Sequence, residues 1–192
     1  MKTLFFSLVL FFGVSTKLPQ LFAQNLVQNG AFQQGLEGWK VLTAQPDAQF
    51  TARYVPRGSK ATQEYGLKDN QVETNFVALN GQSSIEQSIA TEVGKRYTLV
   101  FAVALPSQAK NQQMIVSLNG QPKWTRTLSS NGEKGSFQHY YFHFEATSPQ
   151  TVLSFYATPI GGEATSSNEG LLLSDIICNL EEEVELKLNY QY

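Results

Sequence analysis

Apolar and polar residues alternate along most of this chain with the period of a β-strand. The clearest stretch spans 76–105. It runs Phe76-Val77-Ala78-Leu79, the turn pair Asn80-Gly81, Ile85-Glu86-Gln87-Ser88-Ile89, the turn Val93-Gly94-Lys95, and then a strand from Tyr97 to Val103. Successive side chains of a strand point to opposite faces, so Ile85, Gln87 and Ile89 share one face and Tyr97, Leu99, Phe101 and Val103 another. Asn80-Gly81 can supply the positive φ angles of a tight turn, which predicts a hairpin. Upstream, residues 25–32 read as a short strand entering a turn, and Trp39-Lys40-Val41-Leu42 as a second strand with Trp39 as a core anchor. Residues 45–71 are the least regular, an ordered loop with a strand near 49–54.

The second half repeats the pattern. Met114-Ile115-Val116-Ser117-Leu118 leads into Asn119-Gly120 and a return strand over 123–128, so Leu-Asn-Gly-Gln occurs at both 79–82 and 118–121. Pro122 cannot donate to a ladder, which places the start of that strand at an edge or a bulge. Over 137–146, Tyr140, Phe142, Phe144 and Ala146 fall on one face and His139, Tyr141, His143 and Glu145 on the other. Leu153, Phe155 and Ala157 continue the core face, and 171–180 is the last continuous apolar strand. No stretch has a convincing helical period. Eight or so short strands separated by turns predict an all-β antiparallel β-sandwich of the jelly-roll type.

The ends differ from this body. Lys2, an apolar run over 4–14 and the small residue Ala23 after Leu21-Phe22 have the form of a secretory signal peptide, so residues 1–23 are expected to be removed. No later stretch is long and apolar enough for a transmembrane segment. The expected organisation is a signal peptide over 1–23, one β-sandwich domain over 24–180, and an extra strand or tail over 181–192. Loss of Lys2 and Lys17 with the leader makes a chain of formal charge −2 more acidic. That balance offers no basic footprint for nucleic acid, whose binding rests on neutralising phosphates. Cys178 is the one cysteine and lies in an apolar run, so it is expected to be a buried small hydrophobe with no disulfide.

Little in the sequence points to catalysis. His139 and His143 lie about 13 Å apart if on one strand, too far to share a metal ion. Ser59, Ser83 and Ser84 follow turns, but none sits in a Gly-x-Ser-x-Gly elbow. Glu86, Glu145 and Asp175 fall on strands and are read as structural carboxylates. Binding asks for less, and one pattern supplies it. Opposite the core faces stand Thr98, Val100, Ala102 and Ala104, then Gln113, Ile115 and Ser117, then Val152, Ser154 and Tyr156. If these three strands share a sheet, its outer face has a low floor with Tyr156 standing above it. Trp124 and Arg126 share a strand face that could form a rim, although Leu128 lies on that face too and would leave Trp124 half-buried, and Tyr54 is an aromatic of the irregular region. The candidate ligand-binding residues are therefore Tyr156, Trp124, Arg126, Ser117, Ser154 and Tyr54.

Several of these motifs, taken in order, resemble a known family. Asn25-Leu26-Val27-x-Asn29-Gly30-x-Phe32 with Gly38-Trp39, Ile85-x-Gln87-Ser88-Ile89, and Gly94-Lys95-x-Tyr97-x-Leu99-x-Phe101 are similar to carbohydrate-binding modules with the galactose-binding-like jelly roll. Phe142-x-Phe144-x-Ala146-Thr147, Leu153-x-Phe155 and Leu172-Leu173-Ser174-Asp175-Ile176 complete the resemblance. A related group is a set of plant cell-wall proteins classed as a domain of unknown function. The resemblance implies a non-catalytic module that binds glycan on a concave sheet face or at loop tips. Many such modules hold a structural calcium between the first and last strands. Here Gln33 and Ser174 stand where acids are usual, leaving Asp175, so no cofactor is expected. The expected protein is a secreted, monomeric, non-enzymatic binder of extracellular or cell-wall polysaccharide. The alternatives are a structural or adhesive envelope protein that binds another protein, and a small polysaccharide hydrolase.

Overall fold

The structure is a computed structural model and describes residues 24–43, 51–67, 74–129, 135–161 and 169–181. The expected leader over 1–23 and the expected strand of the tail lie outside the described residues. Ten strands are described: β1 (Lys40–Thr43), β2 (Ala52–Val55), β3 (Phe76–Leu79), β4 (Ser83–Ala90), β5 (Arg96–Ala104), β6 (Gln112–Leu118), β7 (Gln121–Leu128), β8 (Gln138–Glu145), β9 (Gln150–Pro159) and β10 (Leu171–Leu180). They form two five-stranded antiparallel sheets. The first has the order β1-β4-β9-β6-β7 and the second β2-β3-β10-β5-β8. This is the expected sandwich.

Alternation in the sequence becomes burial in the fold. The inward residues of β4, β5 and β9, among them Ile85, Ile89, Leu99, Phe101, Leu153 and Phe155, lie in one apolar cluster between the sheets. Trp39 closes one end of it, tilted against Phe32 at 5.7 Å and edge-on to Phe155 at 6.1 Å. Its indole Nε1 donates to the Asn29 carbonyl at 3.3 Å, so the ring is a core anchor as expected. Cys178 is also enclosed here, and burial pushes its thiol up to about 12. A thiolate is the reactive form. The native protein at pH 8 should therefore resist labelling by a thiol reagent and label once in denaturant. Rapid labelling of the folded protein would show that β10 opens locally.

Three expectations need correcting. Asn80-Gly81 makes no hairpin, because β3 and β4 belong to different sheets. Gly81 has φ 62°, but Asn80 is not left-handed. Its amide instead donates to the Thr51 carbonyl at 3.3 Å, so the pair is a corner between sheets. The identical tetrapeptide at 118–121 does form a hairpin, with Asn119 at φ 51° and Gly120 at φ 76°. Second, residues 25–32 are turns, not a strand. They still line β10, with Leu26 N bonded to the Cys178 carbonyl at 2.9 Å and Ile176 N to the Gly30 carbonyl at 3.0 Å. Third, the irregular region contains, besides the expected strand β2, a short helix that was not expected, α1 (Lys60–Glu64). Tyr65, just past that helix, and Leu67 pack with Val55, Phe76, Ala78, Ala104 and Leu172 as a second cluster. The register places Ala78, Leu172 and Ala104 in one row facing away from the main core. One end of the second sheet's outer face is therefore covered, and β3 is buried on both sides.

Candidate functional site

The residues proposed from the sequence fall in three places. Strands β6 and β9 are neighbours, so Gln113, Ile115, Ser117, Val152, Ser154 and Tyr156 share the outer face of the first sheet. Strand β5 is in the other sheet, and Thr98, Val100, Ala102 and Ala104 belong to that sheet's outer face instead. The reason is topological: alternation fixes which way a side chain points but not which strand lies beside it.

Trp124 and Arg126 are not a rim to Tyr156. A register shift between Val116 and Ser117 changes the parity of β7. It sets Pro122 opposite the outward Ser117, and Trp124 opposite the buried Val116. Trp124 thus points inward at the open edge of the sandwich, edge-on to Phe101 at 5.0 Å and tilted against Tyr140 at 5.3 Å. The Arg126 guanidinium lies 4.9 Å from the Tyr140 ring centroid, a cation–π contact that lids this aromatic seam. Tyr54 is half-buried on β2, packed on the main core, with its hydroxyl donating to Asn75 Oδ1 at 3.5 Å.

The remaining group has a geometry of its own. One row across the first sheet reads Leu42, Ser84, Tyr156, Ile115 and Thr125, and the next Lys40, Glu86, Ser154, Ser117 and Pro122. Adjacent strands lie roughly 4.8 Å apart, so these side chains form a closely spaced grid. Leu42, Val152, Ile115 and Tyr156 are half-buried yet belong to neither apolar cluster. Ser117 and Ser154 are only 4 % and 7 % exposed, shaded by taller neighbours. Among the described residues, no hydrogen bond or ion pair is made by the side chains of Ser84, Glu86, Gln113, Ser117, Ser154 or Tyr156. Glu86 is the charged member of the inner grid, and sequence reasoning did not place it on this face. Its alternation with Ser84 and Ser88 was visible, but its place beside Ser154 required the register.

The second sheet's outer face is different, because its polar groups are tied to one another. Glu181 accepts from Arg96 Nε at 3.3 Å and lies 2.6 Å from His143 Nδ1, which is 3.0 Å from the Thr98 hydroxyl. His143 is thus engaged in a latch between β8 and the end of β10. Tyr141 and Ile177, 67 % and 39 % exposed, lie in the adjacent row either side of Val100. The three strand carboxylates do not converge, since Glu86 is in the first sheet and Glu145 and Asp175 are on separate strands of the second. Two clefts, of about 280 and 300 Å3, open elsewhere, and neither reaches Tyr156.

The residues at the junction of the first and last strands do not suit a calcium ion, which prefers several carboxylate and carbonyl oxygens. Asp175 already accepts from Thr74 Oγ1 at 3.2 Å, and Ser174 Oγ donates to the Asn75 carbonyl at 2.7 Å. Protein hydrogen bonds close the gap such an ion would bridge: Asn25 Oδ1 accepts from Val27 N and Cys178 N, and the Gly30 carbonyl from Ile176 N.

Residues 25–165 match the family described as protein of unknown function (DUF642). The chain belongs to this family. A curated relative is Protein TEEBE of Arabidopsis thaliana, 28% identical over 159 residues, which cover 69% of this chain and 39% of that protein. The chain thus spans about two-fifths of the length of that relative. Two solved structures share the fold. TmCBM61, solved in complex with β-1,4-galactotriose, has a TM-score of 0.54 at 11% identity, covering 82% of this chain and 99% of the other. A cyclase from Fischerella sp. TAU has a TM-score of 0.56 at 13% identity, covering 83% and 98%. A binding module and an enzyme on one sandwich show that the scaffold alone does not fix the chemistry.

Proposed function

We propose that this DUF642 protein is exported and binds polysaccharide outside the cell, on the outer face of the first sheet, without altering it. The observation that carries the proposal is the placing of Tyr156: a half-buried ring in the central strand of the sheet, outside both apolar clusters, surrounded by hydroxyls, an amide and a carboxylate without protein partners. An aromatic face packs against the C–H face of a sugar ring, while the neighbouring polar groups pair with its hydroxyls. A face outside the clefts suits an extended polymer better than an enclosed small molecule. The leader-like residues 1–23 support export, and no described helix is long and apolar enough to cross a membrane. The domain is taken as 24–180 and as a monomer.

Affinity electrophoresis of the mature protein through gels containing plant, algal or bacterial polysaccharides tests this. At least one polymer should retard the protein, and Tyr156→Ala should abolish the retardation with its unfolding midpoint unchanged within about 0.5 kcal/mol. Retardation that survives Tyr156→Ala would move the site elsewhere.

A second reading, an envelope protein that binds another protein, has one observation in its favour. The row Tyr141–Val100–Ile177 on the second sheet exposes apolar area beside the Glu181 latch. Partner capture lost in Tyr141→Ser and retained in Tyr156→Ala would select this reading.

A further inference from the structure

On its inner strands, β4, β9 and β6, the candidate face carries a single charge. We propose that Glu86 makes this face selective for neutral glycans presenting pairs of adjacent hydroxyls, and against chains bearing uronates or other anions. The inference rests on the glycan-binding reading above and specifies its ligand class.

Glu86 lies on β4 between Lys40 of β1 and Ser154 of β9, in a row that continues to Ser117 of β6. Its carboxylate is half-buried and has no hydrogen bond or ion pair among the described residues. An ionised carboxylate only accepts hydrogen bonds, so whatever satisfies it must bring donors. Two neighbouring hydroxyls of a pyranose ring do so, one to each carboxylate oxygen, as charge-assisted bonds. Ser154 and Ser117 continue the row. Each is more than nine-tenths buried and lacks a protein partner, and a serine hydroxyl both donates and accepts. The row therefore offers acceptor, then two groups of either kind, beside the ring of Tyr156.

A chain carrying carboxylates on its sugars meets this row differently. It sets a second negative charge against Glu86 where the ligand has displaced water, and like charges brought together at an interface are a strong means of exclusion. Lys40 does not cancel the field: it is exposed on the edge strand and makes no ion pair with Glu86. Strands β6 and β9 bring no charged side chain to this face, and of the two on β7 Lys123 lines the cleft beside Phe142 and Glu145 while Arg126 lies on the Tyr140 ring.

The test uses matched gels of β-1,4-galactan, β-1,4-mannan and hydroxyethyl cellulose, each beside the same polymer oxidised at C6 to carboxylate. Wild type, Glu86→Gln, Glu86→Ala and Tyr156→Ala are run in each, with thermal unfolding confirming the fold of every variant. Wild type should bind at least one neutral polymer about tenfold more tightly than its oxidised form. Both Glu86 variants should lose about tenfold on the neutral polymer and hold the two forms within about twofold of each other. Tyr156→Ala should be retarded by neither. Equal binding of neutral and oxidised polymer by wild type, or an unchanged ratio in the Glu86 variants, overturns the role of Glu86 and leaves the glycan reading standing. Retardation of wild type by no polymer in either series overturns that reading and this inference together.

Discussion

Gly30→Ala should destabilise the protein by about 4 kcal/mol and lower Tm by on the order of 10 °C. A Cβ at Gly30 would sit 2.0 Å from the Ile176 carbonyl oxygen and 3.0 Å from its carbon, both backbone atoms of β10. No rotamer relieves such a contact, because the methyl group has none. The segment must instead retreat from β10, and the bonds that hold it there go together: Ile176 N to Gly30 O, Leu26 N to Cys178 O, and Cys178 N to Asn25 Oδ1. Space is the constraint here, since Gly30 does not have the positive φ that Asn29 beside it adopts. Thermal unfolding followed by circular dichroism measures the effect. A variant within 1 kcal/mol of wild type would mean that residues 25–30 are not held against β10.

Gln87→Leu should cost about 3 kcal/mol although it preserves side-chain size and adds apolar area. Gln87 points into the sandwich beside Ile85 and Ile89, where an amide is costly unless fully bonded. It is. Gln28 N donates to Oε1 at 2.7 Å, and Nε2 donates to the Gln28 carbonyl at 2.9 Å and the Gly38 carbonyl at 3.1 Å. Leucine would break all three part-buried bonds and leave the Gln28 amide and the Gln28 and Gly38 carbonyls without this partner, a larger loss than the burial it gains. Denaturant unfolding gives the magnitude, and hydrogen exchange at the Gln28 amide gives the cause, since that amide should lose protection first. Unchanged exchange with unchanged stability would show that the loop is held by other contacts.

Legibility of the fold depended on what alternation encodes. Over β8, Tyr140, Phe142 and Phe144 turned inward and His139, Tyr141 and His143 outward as their parity requires. Partner choice is a different matter, because hydrogen bonds between strands carry no signature in the side chains. Hence the sequence leaves open whether β5 shares a sheet with β6 and β9, and it lies in the opposite one. The twin Leu-Asn-Gly-Gln segments make the same point. After Leu118 the chain has a free edge to fold back along, while after Leu79 it enters a sheet whose neighbours are β1 and β9. Continuous burial of Phe76-Val77-Ala78-Leu79 depends on Tyr65 and Leu67, more than eight residues away in the irregular region.

The candidate site was legible in the same partial way. Ser117, Ser154 and Tyr156 were placed correctly on one face because β6 and β9 are plain alternating strands that happen to be neighbours. Trp124 and Arg126 share their strand face with the buried Leu128, and that parity turns them inward, while the bulge sets only Pro122 on the outer face. Glu86 reads from the sequence as one of three structural carboxylates on strands. Its relation to Ser154 exists only across the β4–β9 ladder.

Strand β10 lies in the middle of the second sheet, between β3 and β5. Until residues 171–180 have left the ribosome, that layer is two unconnected ribbons, β2-β3 and β5-β8, and the sandwich has no second wall. Non-local pairing of this kind delays folding. A second sheet that cannot close before the last strand is made would suit the export proposed above, because a translocation channel takes an unfolded thread.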